Sequence, residues 1–482
     1  MNYSLLILEY LVAALGLGVL LADLWLPAER RRELGLAAAA GVAVILLVSF
    51  FVEGIGAQSA FGNMYVLDGL AMFFKRFFLL AAFIVLVMAA EFADRVPGGL
   101  SEYFSLILFA LLGMMFAASA NDFSVLFVSL ELVTVTFYVL VSFQRSRMQS
   151  LEAGVKYLII GALSSAFMVY GIALVFGMSG TLNFHTLTLE SGRLAGNSLF
   201  FVGLVLVLVG LGFKIATVPF QIWAPDVYQG APTPTVAFLA VGSKATGFVL
   251  LLRVLFGAVP SLAANLAQGL AGIAACTILY GSLCAIPQRN LKRLLGYSSI
   301  ANAGYLLLGV VALSHEGQAA ALYYLGGYLF TVLAAFSVLT LVLRDVENED
   351  ISALAGLNAR SPFLAATLTL AMVSLAGVPP LAGFFGKFLL LKSVIVQGMT
   401  SHSLMWLVGV VIFGVVTSLY YYFGVIRAIY WGKVTGETAP IAVSPLMRLS
   451  LYWCVGGMLY LGLCPAHALE LAEQAVALLK VN

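Results

Sequence analysis

Apolar residues run through this chain in long stretches, broken by short polar clusters such as ADRVPGG at 93–99 and QRSRMQS at 144–150. Stretches of about 20 apolar residues, the length that crosses a ~30 Å hydrocarbon core as a helix, recur from end to end. The pattern predicts fourteen spanning segments, near 3–26, 34–53, 65–90, 103–119, 123–143, 152–177, 199–219, 233–256, 265–286, 293–313, 318–343, 362–397, 403–431 and 447–465. No polar block between them is long enough for a soluble domain, so residues 1–482 form one membrane domain. Segment 1 lacks a basic leader and carries Glu9 and Asp23, which argues for a retained helix over a cleaved signal peptide.

Two segments do not fit an unbroken helix. Segment 12 would run 36 residues, far longer than the core requires, so GVPP at 377–380 must interrupt it. Segment 7 ends in Pro219 and a cluster with Pro225, Pro232 and Pro234. Broken helices at membrane depth are tolerated where they face protein or a watery cavity, and in transporters they mark the ion path. Segments 7 and 12 are an odd number of segments apart and cross in opposite directions, as an inverted repeat of segments 4–8 and 9–13 requires.

Composition agrees with the pattern: 62% of the residues are hydrophobic and 10% charged, against about 45–50% and about 25% in soluble domains. The net charge of +2 says little, but its distribution says more. Fourteen Lys and Arg, from Arg30 to Arg448 and including Lys292, fall in loops of one side, against Arg193, Arg253 and Lys480 on the other. The positive-inside rule puts the first group in the cytoplasm and both termini outside.

The four cysteines, Cys276, Cys284, Cys454 and Cys464, lack the close spacing of iron–sulfur or zinc sites and read as small core residues. The histidines His185, His315, His402 and His467 fall in outer-side loops or at a segment end, which leaves no buried pair for haem or a metal. Phosphate-loop and dinucleotide-binding glycine patterns are also missing, so no cofactor is expected in this chain.

Seven basic residues remain inside the segments: Lys75, Arg76, Lys156, Lys214, Lys244, Lys387 and Lys392. A charge at a helix centre costs ~2.5–3.5 kcal/mol on insertion scales, so each needs a partner, water or a function. Glu131 lies near the middle of segment 5, and its opposite charge invites a pair with Lys214. Lys244 stands near the centre of segment 8 with no acid in its own segment, where a desolvated lysine is a candidate proton carrier. Lys387 follows the break in segment 12, and Lys156, nearer the cytoplasmic end of segment 6, is a candidate relay that can also snorkel. For Lys75, Arg76, Lys156 and Lys392 a structural role is as natural as a functional one, and Asp68 and Lys75, seven apart, are expected to share a helix face.

Three stretches carry a family resemblance: GLGFKIATVPFQIWAPDVYQGAPTPTVAFLAVGSKATGF, NLKRLLGYSSIANAGYLLLG and GVPPLAGFFGKFLLLKS. The chain resembles, over nearly its whole length, the antiporter-like membrane subunits of proton-pumping NADH–quinone oxidoreductase, respiratory complex I, and its WAPDVYQGAPTP loop is closest to the subunit N type. The resemblance implies an all-α membrane fold of about fourteen helices. It also implies inverted repeats at 103–256 and 265–431, flanking helices 1–3 and 14, and broken helices 7 and 12. It makes Glu131, Lys214, Lys244 and Lys387 a buried proton-transfer axis, driven by quinone reduction in neighbouring subunits that hold flavin, iron–sulfur clusters and quinone. Other antiporter-like subunits and lipids are the implied partners, and a bacterial inner membrane the implied location. Two positions depart from the family pattern. Gln221 and Asn302 stand where relatives often carry histidine, and their amides can hold a water wire but do not titrate. A subunit of a multisubunit sodium/proton antiporter and a structural membrane scaffold are the alternative readings.

Overall fold

Apolar segments can cross lipid only if every backbone group is bonded within the segment, and helices are the open-chain solution. The computed structural model describes residues 3–52, 57–96, 98–344, 349–401, 404–432 and 440–479. All fourteen predicted segments are helical there. Thirteen of the described helices are long and apolar enough to span a bilayer. The remaining segment, Arg31–Val48, starts with Arg31, Arg32 and Glu33.

Both predicted breaks are present. Segment 7 consists of Ser198–Ile215 and Trp223–Gly230, and segment 12 of Pro362–Ala376 and Ala382–Ser401. Segment 8, Thr233–Ala258, is irregular in a different way: π-helical turns at Leu239–Ser243 and Arg253–Ala258 flank an α-helical stretch that begins at Lys244. Three further elements escaped an apolar-length criterion. They are an antiparallel hairpin of β1, Gln58–Ala60, and β2, Tyr65–Leu67, and the helices Phe184–Leu194 and Pro465–Val476.

Segment 8, segment 10 (Leu291–Val311) and segment 11 (His315–Val342) form the interior of the bundle, while segments 5, 6, 13 and 14 turn apolar faces outward. Polar side chains on the three inner helices therefore face the protein interior and not lipid, which makes their partners informative.

The charges outside the predicted axis find different partners from those expected. Lys75 does not pair with Asp68. Its Nζ lies 2.7 Å from Glu9 and 2.6 Å from the Tyr65 hydroxyl, all three buried. Asp68 caps segment 3 through Ala71 N–H and takes a bidentate bond from Arg253, at 2.8 and 3.1 Å. Arg253 is thus a buried group of segment 8 and not a loop residue. Lys292 is equally buried, bonded to Glu349 at 3.0 Å and to the Ala231 carbonyl at 3.1 Å. Arg76 donates to the Ser49 carbonyl at 2.9 Å, and Lys392 faces Glu316 at 3.4 Å. Of the cysteines, Cys454 is a core residue, but Cys276 and Cys464 are exposed. His402, Lys433 and Lys480 lie outside the described residues.

Candidate functional site: a buried lysine axis

The break in segment 7 follows from its sequence. Ile215 ends the first half-helix, and Ala216 takes the left-handed conformation, φ +57°, at its C-cap. The carbonyls freed there are not orphaned. Gly212 accepts from Thr217 N–H at 3.0 Å and from the Thr217 hydroxyl at 3.2 Å, and Phe213 accepts from the Trp223 indole at 3.1 Å. A hydroxyl of segment 9, Thr277, holds Val218 N–H at 3.0 Å. Lys214 sits in the last turn, where the helix dipole favours a cation.

Segment 12 solves the same problem with glycine. Gly377 caps Pro362–Ala376 at φ +82°, a conformation that glycine adopts without penalty. Lys387, from the second half-helix, folds back and donates to the Leu375 carbonyl at 2.7 Å, so its ammonium rests on the negative end of the first.

Lys214, Lys244 and Lys387 are 4%, 3% and 7% exposed, and none makes an ion pair among the described residues. Each is held by neutral oxygen and by a ring. Lys214 donates to the Thr134 hydroxyl of segment 5 and lies 5.2 Å from the Phe213 ring centroid. Lys244 donates to the carbonyl and hydroxyl of Ser299 and lies 5.5 Å from the Tyr328 ring. Lys387 lies 4.8 Å from the Tyr305 ring. The helices bearing Lys214 and Lys244 meet at Gly247, where an added Cβ would stand 2.5 Å from Ile215 and 3.3 Å from the Lys214 Cβ.

The expected contact between Glu131 and Lys214 is absent. Glu131 accepts from the Ser165 hydroxyl of segment 6 at 2.6 Å, while Lys214 takes Thr134, one turn further along segment 5. Glu131 is near enough to act on Lys214 electrostatically without touching it. Lys156 lies in a separate cluster at the end of segment 6, 2.7 Å from Glu152 and 2.8 Å from Asp226, which also bonds Arg293.

Segment 10 ties the inner lysines together. Ser299, Asn302 and Tyr305 follow at i, i+3 and i+6, on neighbouring turns. Ser299 holds Lys244, and the Tyr305 ring underlies Lys387. Between them Asn302 donates to the Ser298 carbonyl at 2.9 Å and accepts from Tyr324 at 2.5 Å, and the Ser298 hydroxyl bonds Tyr422. Gln221, by contrast, sits within the segment 7 break, two residues before the second half-helix begins at Trp223. It is 5% exposed, and its side-chain carbonyl has no hydrogen-bond partner among the described residues. Sequence reasoning missed Thr134, Ser165, Tyr228, Ser299, Tyr324 and Tyr328. For Ser299 the available signal was the run YSSIAN inside a segment with no outward face to account for it. No group of three or more His, Cys, Asp or Glu is placed to hold a metal among the described residues.

Broken helices with lysines at their ends, set around a polar seam in an otherwise apolar bundle, define a multi-pass membrane protein of the ion-translocating kind. Residues 120–418 match the family model described as NADH:quinone oxidoreductase/Mrp antiporter, transmembrane. The chain is 40% identical to NADH-quinone oxidoreductase subunit N of Moorella thermoacetica, covering 96% of both chains. It also matches a chain of respiratory complex I from Thermus thermophilus, with TM-score 0.82, 33% identity, and coverage of 97% of this chain and 99% of that one. A chain of the Mrp complex from Dietzia shares the fold, with TM-score 0.84 at 20% identity over 97% of both. The chain belongs to this NADH:quinone oxidoreductase/Mrp antiporter family of membrane subunits.

Proposed function

We propose that the chain is the proton-translocating, subunit-N-type member of the membrane arm of an NADH–quinone oxidoreductase. Three lysines buried without counter-ions, each on a neutral oxygen at or beside an irregular stretch of helix, carry this reading. A permanently charged structural lysine at such depth is expected to have an acid beside it. One held by hydroxyls and carbonyls can lose its proton without leaving a buried carboxylate unpaired.

Glu131, Lys214, Lys244 and Lys387 act in that order. Quinone reduction in partner subunits, which carry the flavin, iron–sulfur clusters and quinone, supplies the driving change. Glu131 and Lys214 respond through the field between them, with Thr134 and Ser165 holding the two charges one turn apart. Lys244 then exchanges its proton, which passes along segment 10 toward Lys387. Lys156, with Asp226 and Arg293, lies at the cytoplasmic mouth, and Gln221 and Asn302 hold waters in place of the histidines of relatives. The inverted repeats are 103–256 and 265–431, and both termini face the outside of a bacterial inner membrane.

Purifying the native complex tests the assignment. Flavin and iron–sulfur subunits co-purifying with this chain, together with further antiporter-like subunits, are the expected result. A complex made only of antiporter subunits, with sodium-dependent exchange and no redox partner, would contradict it.

A further inference from the structure

Serine in a buried helix usually satisfies its hydroxyl on its own helix, and here Thr134, Thr246 and Thr277 each donate to the carbonyl four residues back. Ser299 is different. Its Oγ bonds Lys244, the Tyr328 hydroxyl at 3.0 Å and the Tyr228 hydroxyl at 2.8 Å. These partners come from segment 8, segment 11 and the second half of broken segment 7. A hydroxyl has one proton to give and two lone pairs to receive with, so three partners saturate it. The directions are not equivalent. Lys244 as ammonium can only donate, and the geometry has Tyr328 donating, whereas the bond to Tyr228 can run either way.

We propose that the Ser299 hydroxyl is a reversible proton relay between Lys244 and Tyr228, the step that connects the central lysine to the broken segment 7. The proposal rests on the reading of Lys244 as a proton carrier. While Lys244 is charged, both lone pairs of Ser299 are occupied and its proton points at Tyr228. When Lys244 is neutral, its nitrogen lone pair accepts, Ser299 turns to donate to it, and Tyr228 turns to donate to Ser299.

Reprotonation follows in one concerted shift. The Ser299 O–H bond breaks as an N–H bond forms on Lys244, the Tyr228 O–H bond breaks as Ser299 regains its proton, and a hydronium ion on the far side of Tyr228 restores the tyrosine and leaves as water. Only Lys244 changes charge. Tyr328 donates into the hub and lies off this path. Tyr228 shares the helix Trp223–Gly230 with Asp226, which bonds Lys156 and Arg293, so the relay connects the buried lysine to the second half of segment 7.

Substitutions in the intact complex test this through proton pumping and coupled quinone reduction in proteoliposomes. Ser299→Thr and Ser299→Val add nearly the same bulk, and only the first keeps a hydroxyl. Ser299→Thr is expected to stay within about twofold of the wild type and Ser299→Val to lose about a hundredfold or more, the low end of what a positioned proton-transfer group contributes. Tyr228→Phe should resemble Ser299→Val, and Tyr328→Phe, which keeps the ring against Lys244 and removes one bond to the hub, should lose clearly less than Tyr228→Phe. Equal activity in Thr and Val variants overturns the relay. If the β-branched variants do not assemble, the tyrosine pair decides, because each change deletes one oxygen, and equal effects of Tyr228→Phe and Tyr328→Phe overturn it. Lys244→Met separates the two levels of the argument. If Lys244→Met pumps normally, the proton-carrier reading of Lys244 fails. If Lys244→Met is impaired while Ser299→Val is not, only the relay fails.

Discussion

A lysine in an apolar segment is conspicuous in a sequence, and the oxygen that receives its proton is not. Lys214, Lys244 and Lys387 stand out because nothing around them offsets the cost of burying an ammonium. Ser299, Tyr228 and Thr134 blend in, since serine, threonine and tyrosine are tolerated anywhere in a spanning helix. The Glu131–Lys214 pairing drawn from charge alone is corrected by one helical turn, with Thr134 standing where the carboxylate was expected. That arrangement makes a prediction of its own. Removing either charge changes the field at the other, so Glu131→Ala and Lys214→Ala should each lower coupled turnover, and their effects should fall short of additive by on the order of 1 kcal/mol. Thr134→Val should be milder than Lys214→Ala, because it leaves the charge and removes one bond. Additive losses in a double-mutant cycle would show that the two residues act separately.

At the scale of the elements, prolines announced both breaks, but the packing around them depends on glycines whose role shows only in three dimensions. A Cβ at Gly383 would stand 1.8 Å from the Ser374 carbonyl oxygen, and one at Gly462 would stand 1.9 Å from that of Pro380. These are backbone atoms that no side-chain rotation can move. Gly383→Ala and Gly462→Ala should therefore each destabilise the assembled subunit by about 1–3 kcal/mol or more, with less complex on a native gel. Gly456→Ala, with nothing within 4 Å, should leave assembly unchanged or slightly improved. Equal yields for all three variants would mean that the segment 12 break is not held by this close packing. The helices Phe184–Leu194 and Pro465–Val476 and the β1–β2 hairpin were illegible to a method that looks for 20 apolar residues, since they are short or amphipathic.

For the whole molecule, the order of fourteen helices and the two interruptions were legible because lipid allows so few alternatives. The partners of the remaining charges were not, because neighbours in sequence proved a poor guide to neighbours in space: Asp68 reaches Arg253, 185 residues away, and Lys75 reaches Glu9. Arg253 and Lys292, both buried, drop out of the loop count, one from each side. A strong excess of basic residues on one side remains. Both termini are predicted to face outside, so a reporter active only in the cytoplasm, fused after Asn482, should be silent, and activity there would invert the proton path. The central claim, that Lys244 carries protons and is not a fixed charge, is tested most directly by Lys244→Met in the intact complex. Methionine keeps much of the stem and removes the group that is costly to bury, so assembly should survive. Proton pumping in proteoliposomes and the quinone reduction coupled to it should fall together. An assembled Lys244→Met complex that pumps with the normal proton-to-electron ratio would contradict the account.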